Sequence, residues 1–394
     1  MRKSGRLAIG VVLVGCGGRD SGSRLPEIRD SAGIAIVESP EPVGPSFAID
    51  SAPVIEIGPA QGAPGEFVYG PVFAVRQRNG RIVANGWATT EFRIFDSTGR
   101  WIRTVGRAGG GPGEFEGLGL LFRGAGDSLV TFEPQSRRVQ RWTPDGEVID
   151  LKPLLPPPGR PNGWVRGTFD DGSLLVTVES RDLSGTGVLI PNHVTIFRAT
   201  SGASWDSLLA FPGLPRLRHP FSPVNAYGTP LFTPPPSYHQ RDGKLAFAVG
   251  DRFEVQIRSP SGKLVRIVRR PAALRRITDA ELERAISVAV ERLDSTMRRA
   301  MTERYRTTAS SRIRPAISGV WVAGDGRIWA LFGEGSIGEQ VVASVFDTLG
   351  RWQADVTMPA GIDVNQIDGD GLLATFKDED GFGRIRFYRF HPRP

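Results

Sequence analysis

The chain has 394 residues, 40% of them hydrophobic and 23% charged, and a formal net charge of +7. That apolar content is enough to bury a sizeable core, which excludes a disordered chain, and 49 glycines with 31 prolines weigh against a mainly helical one. Short apolar runs separated by turn residues point to an all-β fold.

At the N-terminus, Arg2, Lys3 and Arg6 precede the apolar run LAIGVVLV, which is too short to span a bilayer and leads into Leu13-Val14-Gly15-Cys16. This arrangement resembles a bacterial lipoprotein signal, with 1–15 removed and Cys16 carrying the lipid. The resemblance implies an exported protein of the cell envelope, anchored stably because several acyl chains act together. Gly17 instead of Asp after the cysteine favours the outer membrane where the source has two membranes. Cys16 is the one cysteine of the chain, so its lipidation leaves no thiol for a disulfide, a cysteine-held zinc or thiol catalysis. Residues 16–52 read as a lipidated N-terminus and tether, with a short strand at IAIVES, 34–39.

From residue 53 onward the sequence repeats itself. VFAVRQ, RIVANGW, FRIFD and WIRTVG are four strand-length segments separated by NG and STGR turns, the pattern of an antiparallel meander. Five further copies follow, and in the six together the turns that open the second strands fall at Gly80, Asp127, Gly172, Gly243, Gly326 and Gly371. Three of the five intervals are near 45 residues, the length of a four-stranded propeller blade, and each long one contains a visible insertion. The first insertion is proline-rich, about 211–238, and the second is helical, about 271–314.

The sixth copy lacks a fourth strand, and VIEIG at 54–58 aligns with the fourth-strand segment IRTVG at 102–106. The N-terminal strand is therefore expected to complete the last blade and close the ring. APGEF at 63–67 and GPGEF at 111–115 become equivalent loops between blades. Runs such as FRIFDSTGRWIRTVGRAGGGPGEF, DGRIWALF and VFDTLGRW resemble the NHL-type repeats of six-bladed β-propellers. The resemblance covers 53 to 391 and carries fold more than function, because such propellers include scaffolds, sensors, lyases and lactonases.

In a propeller, ligands are expected on the face carrying the blade-to-blade loops and the loops between second and third strands, where side chains converge on the channel. The candidates there are Glu66, Trp87, Glu114, Glu133, Arg137, Arg181, Arg252, Glu334 and Lys377. Glu66 and Glu114 admit two readings: paired carboxylates for metal or acid/base work, or turn-closing acceptors beside the plugs Phe67 and Phe115. Their recurrence with the blade favours the second. The lyases that the fold resembles hold metal with several histidines, whereas here His193, His219, His239 and His391 show no such spacing; only His219 and His239 flank one insertion. The propeller lactonases imply a calcium site, for which Asn225, Asn365 and Asp363 are available without a motif. No Gly-x-Ser-x-Gly elbow occurs. No metal or other cofactor is expected, calcium being the one that the lactonase resemblance leaves open.

Thr278-x-x-Glu281 has the form of a capping box, and a helix is expected from Asp279 to about Tyr305 with Leu282, Ile286, Val290, Leu293, Met297 and Met301 on one face. It should lie between blades 4 and 5, over the channel mouth. Arginine dominates the positive charge, which suits anionic envelope partners, while the export signal argues against nucleic acid. The expectation is a non-enzymatic binding or scaffolding module for a peptide, glycan or protein partner. The competing one is a metal-dependent propeller hydrolase or lyase of lactonase type.

Overall fold

A computed structural model describes residues 25–58, 72–161, 163–200, 204–221, 228–233, 235–272, 275–308, 313–332, 341–379 and 381–392. Six sheets, each built on four antiparallel strands, follow one another along the chain. Their inner strands are Val72–Arg76, Leu120–Arg123, Trp164–Thr168, Ser237–Arg241, Gly319–Val322 and Asp363–Ile367. Consecutive inner strands approach one another, the last returning to the first, so the six sheets are the blades of a β-propeller. Each inner strand starts at the face carrying the blade-to-blade connections, here the connection face. It ends at the opposite turn face, where the first and second strands of a blade are joined.

The repeated sequence has a local cause. In FDSTGRW, Asp96 Oδ1 accepts from the amides of Thr98 (2.8 Å) and Arg100 (3.0 Å), and in FDTLGRW Asp347 Oδ1 accepts from Leu349 (2.9 Å) and Arg351 (2.8 Å). The aspartate thus fixes the turn between third and fourth strands. In the GPGEF loop, Phe115 is fully buried against Phe92 and Trp142 and plugs the seam between blades 1 and 2. Gly106 has φ +99, and a Cβ there would stand 2.5 Å from the Phe115 ring, so this approach requires glycine.

The ring closes as its sequence implies. Ile55–Ile57 pairs antiparallel with the long last strand, Ile57 opposite Ile385 and Ile55 opposite Phe387. The residues ahead of it are also ordered. Strands β1 (Glu27–Ser31) and β2 (Ile34–Glu38) form a hairpin, and β2 lies parallel to Leu264–Arg269, the outer strand of blade 4. The Val43 amide then donates to the Trp352 carbonyl of blade 5 (2.7 Å). Strand β3 (Phe47–Ile49) pairs with the far end of the last strand, and Ile55–Ile57, β4, follows. The strand expected at 34–39 is therefore β2, and residues 27–57 run along the outside of blades 4, 5 and 6.

The helical insertion holds two helices, α1 (Asp279–Val290) and α2 (Ser295–Thr308), not one. Thr278 and Glu281 form the capping box of α1. The break comes from Asp294, whose Oδ1 accepts from the amides of Thr296 and Met297 (3.0 Å each) and starts a new helix. The apolar spacing runs through the break because both helices turn the same residues inward. Leu282, Ile286, Val290, Met301 and Tyr305 pack on Leu217 and Phe232 of the first insertion, so the two insertions share a small core. Ile190 and Leu217 join that core to a long hairpin of blade 3 through the pairing of 189–190 with 216–217.

Candidate functional site

A cavity of about 330 Å³ lies on the propeller axis, lined by the inner strands of blades 1, 2, 3, 4 and 6 and by the turns that follow them. An inner strand leaves one row of backbone groups without a strand partner, and here side chains from neighbouring blades meet them. Gln366 donates to the Arg76 carbonyl (2.9 Å) and accepts from the Arg76 amide (3.0 Å), lacing blade 6 to blade 1. Arg123 donates to the same carbonyl from blade 2 (2.7 Å), and Thr168 of blade 3 donates to the Arg123 carbonyl (3.1 Å). Between blades 4 and 5 the Val322 amide donates to His239 Nδ1 (3.1 Å), which leaves the proton of the neutral ring on Nε2.

Arg241 makes the longest reach. Its side chain passes over Gly324 of blade 5, where a Cβ would meet Arg241 Nη2 at 2.6 Å, and donates to the Ile367 carbonyl (2.7 Å) and to Asp368 Oδ1 (2.6 Å) of blade 6. Asp368 Oδ2 faces Arg76 (3.4 Å) and accepts from Gln366 (2.7 Å). One buried carboxylate thus joins blades 1, 4 and 6 at the turn face. Arg123 stands close by; burial first, then the Arg241 charge, draws its pKa below the ordinary arginine value.

The seam between blades 3 and 4 is different. Gln240 is 8% exposed, lines the cavity, and has no hydrogen-bond partner for either its Oε1 or its Nε2. Its Oε1 would be 3.8 Å from a Cβ at Gly167, so the amide sits over a backbone without a side chain. Asn365 Oδ1, across the cavity wall in blade 6, is also buried and unpartnered. A buried amide left unpaired costs about 1–3 kcal/mol, which marks these atoms as places that a water or a ligand polar group fills.

His239 shares that wall. Burial first, then the Arg241 charge, lowers its pKa from 6.5 to about 4. The folded state therefore holds fewer protons than the unfolded one between these values. The contribution is fully present above pH 6.5 and is lost as pH falls toward 4, a span worth about 3 kcal/mol. His239→Gln is expected to flatten the pH dependence of stability in that window, as read by urea unfolding at pH 4.5 and 7; an unchanged slope would show that the ring does not titrate there.

Among the described residues, none of those expected on the connection face lines this cavity. Glu66, Glu334, Phe67, Asn225 and the lipidation site Cys16 lie outside the described residues. Glu114 closes its own loop, accepting from the Gly111 amide (2.9 Å) and Arg107 (2.9 Å), and those bonds hold its carboxyl below the usual range. Glu133 is buried and accepts from Arg138 (2.8 Å) and the Glu116 amide (2.8 Å). Arg137 has φ +58 and donates to the carbonyls of Gly163 and Leu154, tying blade 2 to the start of blade 3. Arg181 lies 3.9 Å from Glu179, Arg252 pairs with Glu254 (3.1 Å), and Lys377 is exposed at a strand end. Trp87 comes nearest, its ring 6.1 Å from that of Phe73, which does line the cavity. His219 accepts from the Phe221 amide (3.1 Å) and His239 belongs to the channel wall. Among the described residues no group of three or more His, Cys, Asp or Glu is arranged to hold a metal ion.

The cavity residues carry a weak sequence signal. They lie along the inner strands and in the turns that follow, where an apolar repeat gives way to Arg123, Thr168, Gln240 and Arg241.

No protein-family model matches the chain, and no curated protein matches it significantly. Among solved structures it is similar to a member of the DUF4221 family from Bacteroides vulgatus, with a TM-score of 0.53 at 8% identity over 88% of this chain and 99% of that one. A putative exported protein from Bacteroides fragilis aligns over 90% of this chain and 99% of that one at 11% identity and a TM-score of 0.46. Virginiamycin B lyase from Staphylococcus aureus covers 87% of this chain and 89% of its own at 13% identity and a TM-score of 0.39. At these identities the likeness is one of fold, and the fold is a six-bladed β-propeller.

Proposed function

We propose that this protein is an exported, lipid-anchored binding module that takes a polar end group of a peptide or glycan into its axial channel. The open amide of Gln240 carries the reading. A carboxamide with a free donor and a free acceptor complements a peptide amide or an acetamido sugar group by two parallel hydrogen bonds. Arg123 and Arg241 beside it are held by Asp127 (3.8 Å) and Asp368 (2.6 Å), so the wall is polar without a large net charge and suits a neutral group. The lipoprotein-like signal supports an envelope location.

The test is calorimetric titration of the full chain with N-acetyl-dialanine amide and with the disaccharide of N-acetylglucosamine. Saturable binding of either probe, weakened at least about tenfold in Gln240→Leu, is the expected result; two lost hydrogen bonds in a desolvated site are worth about that much. Failure of the unsubstituted protein to bind both probes, or equal binding by the variant, removes the reading.

A further inference from the structure

We propose that the connection face over blades 3 and 4, with the helical pair, rests against an anionic lipid surface. The proposal builds on the lipid-anchored reading of Cys16 and adds an orientation to it. Strand β1 begins at the connection face, since Glu27 pairs with Glu38 at the end of β2, beside Arg269. Leu25 shares a groove with Arg269, Arg270 and Pro271, the root of the helical insertion. Eight residues, hence nine Cα-to-Cα steps, lie between Cys16 and Leu25. At no more than about 3.6 Å per step these reach about 32 Å, so a lipid on Cys16 holds the point where the chain joins this face within that distance of the bilayer.

The chemistry of the surface agrees. On α1, Leu282, Ile286 and Val290 are buried, and the opposite stripe is Arg284, Val288 and, just past the helix, Arg292. Val288 is 67% exposed between the two arginines. Arg284, Arg292 and Arg299 of α2 are exposed and have no ion-pair partner among the described residues. Leu25, Leu183 and Phe221 are further exposed apolar side chains of the same side. Unpaired arginines flanking an exposed aliphatic group match a headgroup layer, where basic side chains meet the anionic headgroups and the aliphatic one meets the acyl boundary.

The experiment uses the full chain made in cells that lipidate it, with Val288→Cys or Leu349→Cys carrying an environment-sensitive dye. Leu349 lies in a turn of the turn face and is itself exposed, so it serves as the control. The mass and thiol reactivity of the unsubstituted protein first show whether Cys16 is modified. On vesicles containing phosphatidylglycerol, the dye at 288 is expected to shift to the blue and be quenched from within the bilayer, while the dye at 349 behaves as in water. Arg284→Glu, Arg292→Glu and Arg299→Glu together should cut the shift at 288 at least about fivefold, with the protein still on the vesicles. Equal responses at the two sites, or a response indifferent to the charge reversal, overturn the proposal. If Cys16 proves unmodified, the anchor reading fails by itself. The full chain with Cys16→Ser and the label at 288 then decides the surface: a shift dependent on phosphatidylglycerol and lost in high salt keeps it, and no shift overturns it.

Discussion

Asp368→Ala is expected to lower the unfolding free energy by about 3–5 kcal/mol, because the buried Arg241 guanidinium loses its closest carboxylate and Arg76 keeps only the exposed Asp370. Arg241 and Arg76 reach Asp368 from opposite sides, and the side chains of all three are between 12% and 16% exposed. Without the carboxylate, the Arg241 and Arg76 charges repel each other and Arg123 in a medium of low effective dielectric. Asp370 supplies the comparison: it also pairs with Arg76 (3.0 Å), but it is 58% exposed, and Asp370→Ala should cost less than about 1 kcal/mol. Urea unfolding at neutral pH separates the two. Sulfate should recover part of the loss in Asp368→Ala by standing in for the carboxylate. Similar small losses for both variants would show that the three-blade clamp does not hold the ring.

The second large effect is expected at the closing strand. Ile55 and Ile57 of β4 face inward and pack with Leu373, Ile385 and Phe387 of blade 6 and with Val72, Ala74, Ile82 and Phe95 of blade 1. Ile57→Asp places an unpaired carboxylate in that seam and should destabilise by more than about 4 kcal/mol, with loss of a single cooperative transition. Glu56 faces the other way and pairs with Arg386 (3.0 Å), so Glu56→Ala should stay within about 1 kcal/mol. Differential scanning calorimetry reads both. A normal, single transition for Ile57→Asp would mean that the ring does not depend on this closure.

The propeller and its closure were legible because their signals are local. Turn residues recur at blade spacing, and strand alternation within each repeat marks which side chains are buried, so that even Ile55 and Ile57 announce a strand without a neighbour in sequence. The axial cavity was less legible because its side chains come from different blades and their positions do not repeat strictly. The turn after Arg241 is shorter than its counterparts, and a bulge between Val364 and Gln366 shifts the register in blade 6. Loop position alone marks the connection-face candidates in the sequence, whereas partners decide what a charged side chain does. Glu133 looks like a loop carboxylate in the sequence, yet the backbone of its own blade and Arg138 surround it. The break at Asp294 was hidden for a related reason, since apolar spacing reports which residues turn inward and not whether the backbone between them is continuous.

The order in which the N-terminal segment meets the blades sets how a pulling force enters the molecule. Tension applied ahead of Leu25 falls first on β1, which comes away from β2 one pair of hydrogen bonds at a time. It next meets β2, which lies parallel to its neighbour and must slide along it. Only then does it load β3 and β4 at the closing blade. The β1–β2 hairpin therefore acts as a mechanical fuse, opening at low force and leaving the ring intact. In single-molecule extension this would appear as a short, low-force release before the main rupture.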